Sequence, residues 1–123
     1  MSEDTAQALL DWETEPMPQK RAEFRMRLRL SPAQRARLQQ GHLPQEMEDH
    51  WLGRWEDGRL CVYRSWTGYC IFIVRLGGPL GLCRVTVNRD PKQYTGRDVR
   101  KERRLLSGLL RYWAAEPYME DRE

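Results

Sequence analysis

The stretch from residue 50 to residue 88 restricts the fold most, because it alternates strand-like segments with glycine turns. Asp57-Gly58 has the composition of a two-residue hairpin turn, which joins antiparallel strands. Thr67-Gly68 indicates another tight turn, and residues 77–81 (Gly-Gly-Pro-Leu-Gly) indicate a looser connection. These turns predict four strands in an antiparallel meander, at about 50–55, 59–66, 69–76 and 82–88.

Helical and strand patterns flank the meander on both sides. Residues 23–30 alternate, with Phe24, Met26, Leu28 and Leu30 on one face and Arg25, Arg27 and Arg29 on the other, which predicts a half-buried strand. Residues 5–12 favour a short helix. A capping box at 31–34 begins a second helix, which Gly41 ends. Asp98 caps a long helix that reaches about Ala115, and its apolar stripe is Val99, Leu106, Leu109, Leu110 and Trp113.

These elements together predict an α+β fold. We expect a mostly antiparallel sheet of about five strands, with the C-terminal helix packed on one face and short helices near the N-terminus. The chain of 123 residues is long enough for one hydrophobic core. We expect an acidic N-terminal segment and linker at 1–22, a single α+β domain at 23–115 and an acidic C-terminal tail at 116–123.

The charge is distributed unevenly. Residues 17–115 hold a net charge of +11, although the whole chain holds +3, because both ends are acidic. A basic body suggests an anionic partner, whereas the plainer interpretation is that the acidic ends keep the chain soluble.

Composition also limits the protein class. No apolar run has membrane-spanning length, and the acidic N-terminus is unlike a signal peptide. Three cysteines without CxxC spacing suggest buried thiols in a reducing cytoplasm, so we expect a cytoplasmic protein without disulfides. With only two histidines, we expect neither a transition-metal site nor a cofactor.

Counting residues across two-residue turns predicts the strand register. Trp51 pairs with Arg64 and Trp55 with Leu60 across the first turn, and Arg64 pairs with Ile71 across the second. One face then carries Trp51, Trp55, Leu60, Val62, Arg64, Trp66, Tyr69, Ile71 and Ile73. The other carries Leu52, Cys61, Tyr63, Ser65, Cys70, Phe72 and Val74. A longer, bulged turn at Gly68 would break this register.

The first candidate site is the run from Arg64 to Cys70. Its candidate ligand-binding residues, with the strand neighbour Trp51, are Trp51, Arg64, Ser65, Trp66, Thr67 and Tyr69. A guanidinium can hold an anion while an aromatic ring stacks on a flat ligand. The alternative is that Arg64 simply packs on Trp51 as a structural cation–π pair.

The second candidate is the end of the last strand, with Asn88, Arg89 and Asp90. These side chains suit sugar hydroxyls or phosphate, but Asn88 and Asp90 are equally ordinary turn-formers before a proline. We expect both candidates to share one pocket. Arg64 and Arg89 would then lie about 10 Å apart, with Asp90 as the nearest carboxylate.

The third candidate is the stripe Arg25, Arg27 and Arg29, which could follow a phosphate backbone. The solvated polar face of a half-buried strand is the more common explanation of such a stripe. The paired carboxylates at 48–49 and 56–57 have no evident His or Cys partner, and Ser65 lies in no nucleophile motif. The sequence therefore favours a binding protein over an enzyme without excluding catalysis.

The segments Arg64-Ser65-Trp66-Thr67-Gly68 and Val87-Asn88-Arg89-Asp90-Pro91, with the surrounding residues 50–94, resemble a family of small bacterial cytosolic proteins. That resemblance implies a loose association with ADP-ribose- and NAD-handling enzymes, and it assigns no catalytic residue.

Three functions follow as hypotheses. The first is a module that binds a phosphate-bearing nucleotide-type ligand such as ADP-ribose, in a defence or toxin–antitoxin setting. The second is an immunity or antitoxin protein that inhibits a partner enzyme, since Trp and Arg are frequent interface residues. The third is nucleic-acid binding by the basic body. No membrane partner is expected.

Overall fold

The computed structural model describes residues 3–115, so the predicted acidic tail at 116–123 lies outside the described residues. In chain order the elements are α1 Glu3–Asp11, β1 Arg21–Arg27, α2 Pro32–Gln40, β2 Trp51–Glu56, β3 Arg59–Arg64, β4 Cys70–Arg75, β5 Leu82–Asn88 and α3 Val99–Ala114. The five strands form one antiparallel sheet in the order β1-β5-β4-β3-β2. The predicted α+β fold is confirmed.

The helix α3 covers one face of the sheet, which we call the helix face. Its buried residues Leu106, Leu110 and Trp113 belong to the stripe that the sequence predicts. They pack on strand residues that include Phe24, Met26, Leu60, Val62, Phe72, Val74, Val85 and Val87. This face therefore holds the main core.

The N-terminal segment covers part of the other face. Leu9 of α1 and Met17 are buried there, and Trp12 packs at the margin. Their sheet partners are Leu52, Cys61, Tyr63, Cys70 and Ile73. Residues before 23 thus contribute to a second, smaller core instead of serving only as a linker.

The register between β2 and β3 is confirmed. Trp51 lies opposite Arg64 and Trp55 opposite Leu60, and Asp57 and Gly58 take positive φ values of 52° and 78°, as a tight hairpin turn requires.

The predicted register between β3 and β4 is wrong. Arg64 donates its backbone N–H to Tyr69, not to Ile71, so the turn comprises residues 65–68. A bulge near Tyr63 then shifts the ladder by one, and Val62 lies opposite Phe72. Because side chains alternate along a strand, Phe72 and Val74 join the helix face and Ile73 the opposite one.

A long-range contact explains the longer turn. Gly68 has a φ of +77°, and its carbonyl accepts a hydrogen bond from the backbone N–H of Glu15 at 2.8 Å. A Cβ at Gly68 would lie only 2.4 Å from the carbonyl oxygen of Glu13. The N-terminal segment is thus docked against the turn, and hairpin statistics alone do not include that contact.

Candidate functional site

Arg64 is held on the surface by Trp51. Its guanidinium carbon lies 5.1 Å from the centroid of the Trp51 ring, and its side chain is exposed. The structural cation–π pair is therefore present. No carboxylate within residues 3–115 forms an ion pair with Arg64, so its charge is free to meet an anion from solvent.

An open recess of about 300 Å³ lies beside this guanidinium. It is lined by His50, Arg64, Trp66 and Thr67, and we call it the turn recess. The Trp66 side chain is 70% exposed, which leaves its ring available for stacking. His50 is not among the predicted residues, although the pairing of Trp51 with Arg64 places the residue before Trp51 beside the turn.

Ser65 has a structural role in the turn. Its side chain is buried, and its hydroxyl donates a hydrogen bond to the backbone carbonyl of Asp49 at 2.9 Å. Its carbonyl accepts a hydrogen bond from the indole N–H of Trp12. Tyr69 is half-buried and packs on the helix-face core. Neither residue lines the turn recess.

Asn88 is fully buried, and its side chain organises the chain around it. The Nδ2 group donates to the carbonyl of Cys70 and to Oε1 of Gln93, both at 2.9 Å. Oδ1 accepts the backbone N–H of Asp90, whose own carboxylate accepts the N–H of Lys92. This geometry supports the interpretation of Asn88 as a turn-former. Its fully buried amide is bonded within the protein, and the geometry does not support a role in binding ribose.

Arg89 is already paired. Its guanidinium donates two hydrogen bonds of 2.8 Å to the carboxylate of Glu102, whose side chain is 3% exposed. The Tyr94 hydroxyl donates to the same carboxylate at 2.7 Å. The hydrogen bond with Glu102 raises the pKa of Arg89, and burial together with Glu102 raises the pKa of Tyr94. The prediction that Asp90 is the carboxylate beside Arg89 is wrong.

The position of Glu102 in the sequence could have identified it as a buried, paired carboxylate. Glu102 lies three residues after Val99 and four before Leu106, so it falls within the apolar stripe of α3. A carboxylate in such a stripe needs a buried cationic partner, because an unpaired buried charge is costly.

The two predicted segments are neighbours, but only the first of them lines the turn recess. The hydrogen bond from Asn88 to Cys70 places the end of β5 beside the start of β4, as expected. Arg89 and Arg64 also lie near the same residue, because the positive charge of each acts to lower the pKa of Tyr94. Burial and Glu102 have larger effects and raise that pKa. The turn recess is nevertheless lined only from the 64–67 side and by His50.

The three thiols are buried. Burial raises the pKa of Cys61 to about 11, and it also raises the pKa of Cys70 and Cys83. A thiol that stays protonated is a poor nucleophile and a poor metal ligand. Within residues 3–115, no group of three or more His, Cys, Asp or Glu side chains is arranged to hold a metal ion.

The third candidate, the arginine stripe, lies on the face opposite α3. Arg25, Arg27 and Arg29 are exposed, while Phe24, Met26 and Leu28 are buried, as the alternation predicts.

None of the helices in the described part of the chain is long and apolar enough to cross a bilayer.

Comparison with other proteins adds no functional assignment, so the resemblance in residues 50–94 stays a prediction. No family model, curated protein or solved structure matches the chain.

Proposed function

We propose that this protein is a small cytoplasmic binding module whose turn recess holds a phosphate-bearing, nucleotide-type ligand such as ADP-ribose. The observation that carries the proposal is an exposed guanidinium that packs on Trp51, has no ion-paired carboxylate among residues 3–115 and lies beside a largely exposed indole ring. In this arrangement Arg64 holds a phosphate, and Trp66 stacks on a base or another flat ring.

The proposed site uses part of the predicted set of residues. His50, Arg64, Trp66 and Thr67 line the recess, and Trp51 orients Arg64. A volume of about 300 Å³ is at the small end of ligand pockets, so the recess suits one phosphate and one ring, with the rest of the ligand in solvent. Asn88, Arg89 and Asp90 support the fold beside the site instead of binding the ligand.

Thermal shift and calorimetry with ADP-ribose, NAD and AMP test this function. A ligand at a hundred times its Kd stabilises a protein by about 2.7 kcal/mol, which raises the melting temperature measurably. We expect Arg64→Gln and Trp66→Ala to abolish the shift. Arg100→Gln, which removes an exposed charge on α3, serves as the control and should preserve it. Absence of any shift at millimolar nucleotide would exclude the proposal.

A second candidate, inhibition of a partner enzyme by an immunity or antitoxin protein, rests on a different observation. Met47 and Trp66 are each 70% exposed, and both line a shallow recess with Trp12 and Pro44. Exposed aromatic and Met side chains that lie together are typical of interface cores. In a toxin–antitoxin setting, this pair would contact the toxin.

Two variants separate these candidates. Arg64 lines the turn recess and not the second one, and Met47 lines the second recess and not the turn recess. For a nucleotide module, Arg64→Gln removes ligand binding and Met47→Ser preserves it. For an antitoxin, Met47→Ser abolishes protection against a toxic neighbouring gene in co-expression, and Arg64→Gln preserves protection. A neighbouring gene that is harmless without this protein would exclude the antitoxin.

A further inference from the structure

Part of the sheet face opposite α3 is open to solvent. The N-terminal segment covers the area around Leu52, Cys61 and Tyr63. On β1 and β5 the same face carries exposed polar side chains. Along β1 they alternate with the buried side chains of the helix face.

Three arginines from three neighbouring strands lie side by side on this open area. Arg25 of β1 lies directly opposite Arg84 of β5, and Arg84 lies directly opposite Arg75 of β4. All three are exposed. We call them the arginine row. Neighbouring strands lie about 4.8 Å apart, so the row spans about 10 Å across the sheet.

A fourth arginine, Arg59, lies beside the end of the arginine row. Leu60 of β3 lies opposite Val74 of β4, and the residues next to this pair on the two strands are Arg59 and Arg75. The Nε atom of Arg59 is buried and has no hydrogen-bond partner in the structure. Arg59 therefore adds positive charge beside the end of the row, while its buried Nε atom is itself closed to solvent.

Little within the described residues neutralises this charge. The nearest ion pair joins Arg84 to Glu23 at 3.8 Å, with both side chains more than 60% exposed. Like charges directly opposite on a sheet destabilise it. Two such pairs in succession therefore indicate an anionic partner, which would replace repulsion by attraction.

We propose that the arginine row binds the phosphate backbone of a nucleic-acid duplex without reading its sequence. Guanidinium groups match phosphate oxygens with two parallel hydrogen bonds, and a regular row of them suits a regularly spaced polyanion. No aromatic side chain accompanies the row on the exposed side of β1 or β5, so this part of the face has no ring on which unpaired bases could stack.

An acidic protein is the less suitable occupant of this face. Protein interfaces centre on apolar and aromatic residues, and Leu82 is the single large apolar side chain that β1 and β5 expose here.

The proposal is independent of the turn recess, because Arg64 shares the helix-face side of β3 with Val62, whereas the arginine row lies on the other face.

Fluorescence anisotropy with a labelled DNA duplex, measured from about 50 to 200 mM salt, tests the proposal. The test variant is R25Q/R75Q/R84Q. The matched control is R100Q/R104Q/R111Q, which removes the same charge from the exposed side of α3. Each phosphate contact contributes about −0.9 to the slope of log affinity against log salt. We expect the row variant to flatten that slope by roughly 2.7 and the control to change it little.

Further arms distinguish the polyanions. An RNA duplex of the same sequence tests whether the sugar matters, and either duplex binding through the row supports the proposal. Equal slopes for the row variant and the control would overturn it, as would tighter binding to single strands or equal binding to poly-glutamate. If the triple variant does not fold, Arg84→Gln alone should flatten the slope by about 0.9, and an unchanged slope would overturn the proposal.

Discussion

At the scale of single residues, the environment of each arginine decides its role. Arg64 and Arg89 have the same side chain and lie near the same tyrosine, Tyr94. Glu102 neutralises Arg89, whereas Arg64 packs on an uncharged ring and keeps its charge available. A guanidinium that is already held by two hydrogen bonds stabilises the fold, and one that lacks an anionic partner can bind a ligand.

Replacing Glu102 tests the structural role of the buried pair. Glu102→Gln leaves the Arg89 charge without its partner and weakens the hydrogen bond from Tyr94, so the free energy of unfolding should fall by about 3–5 kcal/mol. Urea denaturation measures this. Glu23→Gln, at an exposed ion pair, should change stability by less than about 0.5 kcal/mol. A similar loss in both variants would contradict the buried pair's importance.

The buried thiol of Cys61 predicts how stability depends on pH. Burial raises its pKa from 9.0 to about 11 in the folded protein. The unfolded state therefore loses the proton first, and stability that is present below pH 9 is lost as the pH rises toward 11. Cys70 and Tyr63 are shifted in the same direction.

Cys61→Ala should reduce this alkaline loss. Urea denaturation at several pH values between about 8 and 11 would show a shallower decline for the variant than for the unmodified protein. Parallel declines would mean that the Cys61 thiol is not protected from ionisation by the fold.

At the scale of elements, one glycine sets how closely α3 approaches the sheet. A Cβ at Gly53 of β2 would lie 2.5 Å from the ring of Trp113, which also stacks on His42 with ring centroids 4.8 Å apart. His42 in turn forms a backbone bridge with Gly53 and so covers the edge of β2. Helix, loop and edge strand therefore meet at this one position.

Two glycine-to-alanine changes should have opposite effects. Gly53→Ala forces Trp113 away from the strand and should destabilise the protein by roughly 1–3 kcal/mol. Gly108→Ala, in α3 with open space around its Cβ position, should stabilise it by about 0.5–1 kcal/mol. Thermal denaturation gives both values. A neutral Gly53→Ala would show that Trp113 can move without cost.

At the scale of the whole molecule, charge separates the two faces of the sheet. The helix face is closed by α3, and the open part of the other face carries the arginine row. A surface of this kind favours polyanion binding at the expense of stability, because its charges repel one another when no partner is bound.

Arg75→Gln tests that compromise. The substitution removes repulsion with Arg84 and breaks no ion pair among residues 3–115, so it should stabilise the free protein by about 0.2–1 kcal/mol. The gain should shrink as salt increases, since salt screens exposed charges. Differential scanning calorimetry at low and high salt measures both effects. A loss of stability at low salt would indicate that Arg75 makes favourable contacts instead.

Features that depend on local patterns can be predicted from the amino-acid sequence alone. The capping box at 31–34, the hairpin at 57–58 and the stripe of α3 each involve neighbouring residues, and each appears as predicted. The alternation at 23–30 also predicted a strand correctly, but that strand begins at Arg21 and ends at Arg27. Local periodicity and turn chemistry act within a few residues, so they can be recognised without knowing the rest of the fold.

Which distant residues meet depends on the tertiary fold. Docking of residues 13–15 on Gly68 lengthened the turn and exchanged the faces of Phe72 and Ile73. The pairing of β1 with β5 aligned Arg25 with Arg84. These contacts depend on register and packing between segments far apart in the chain. A shift of one residue reverses every side chain on a strand, so no local pattern can specify them.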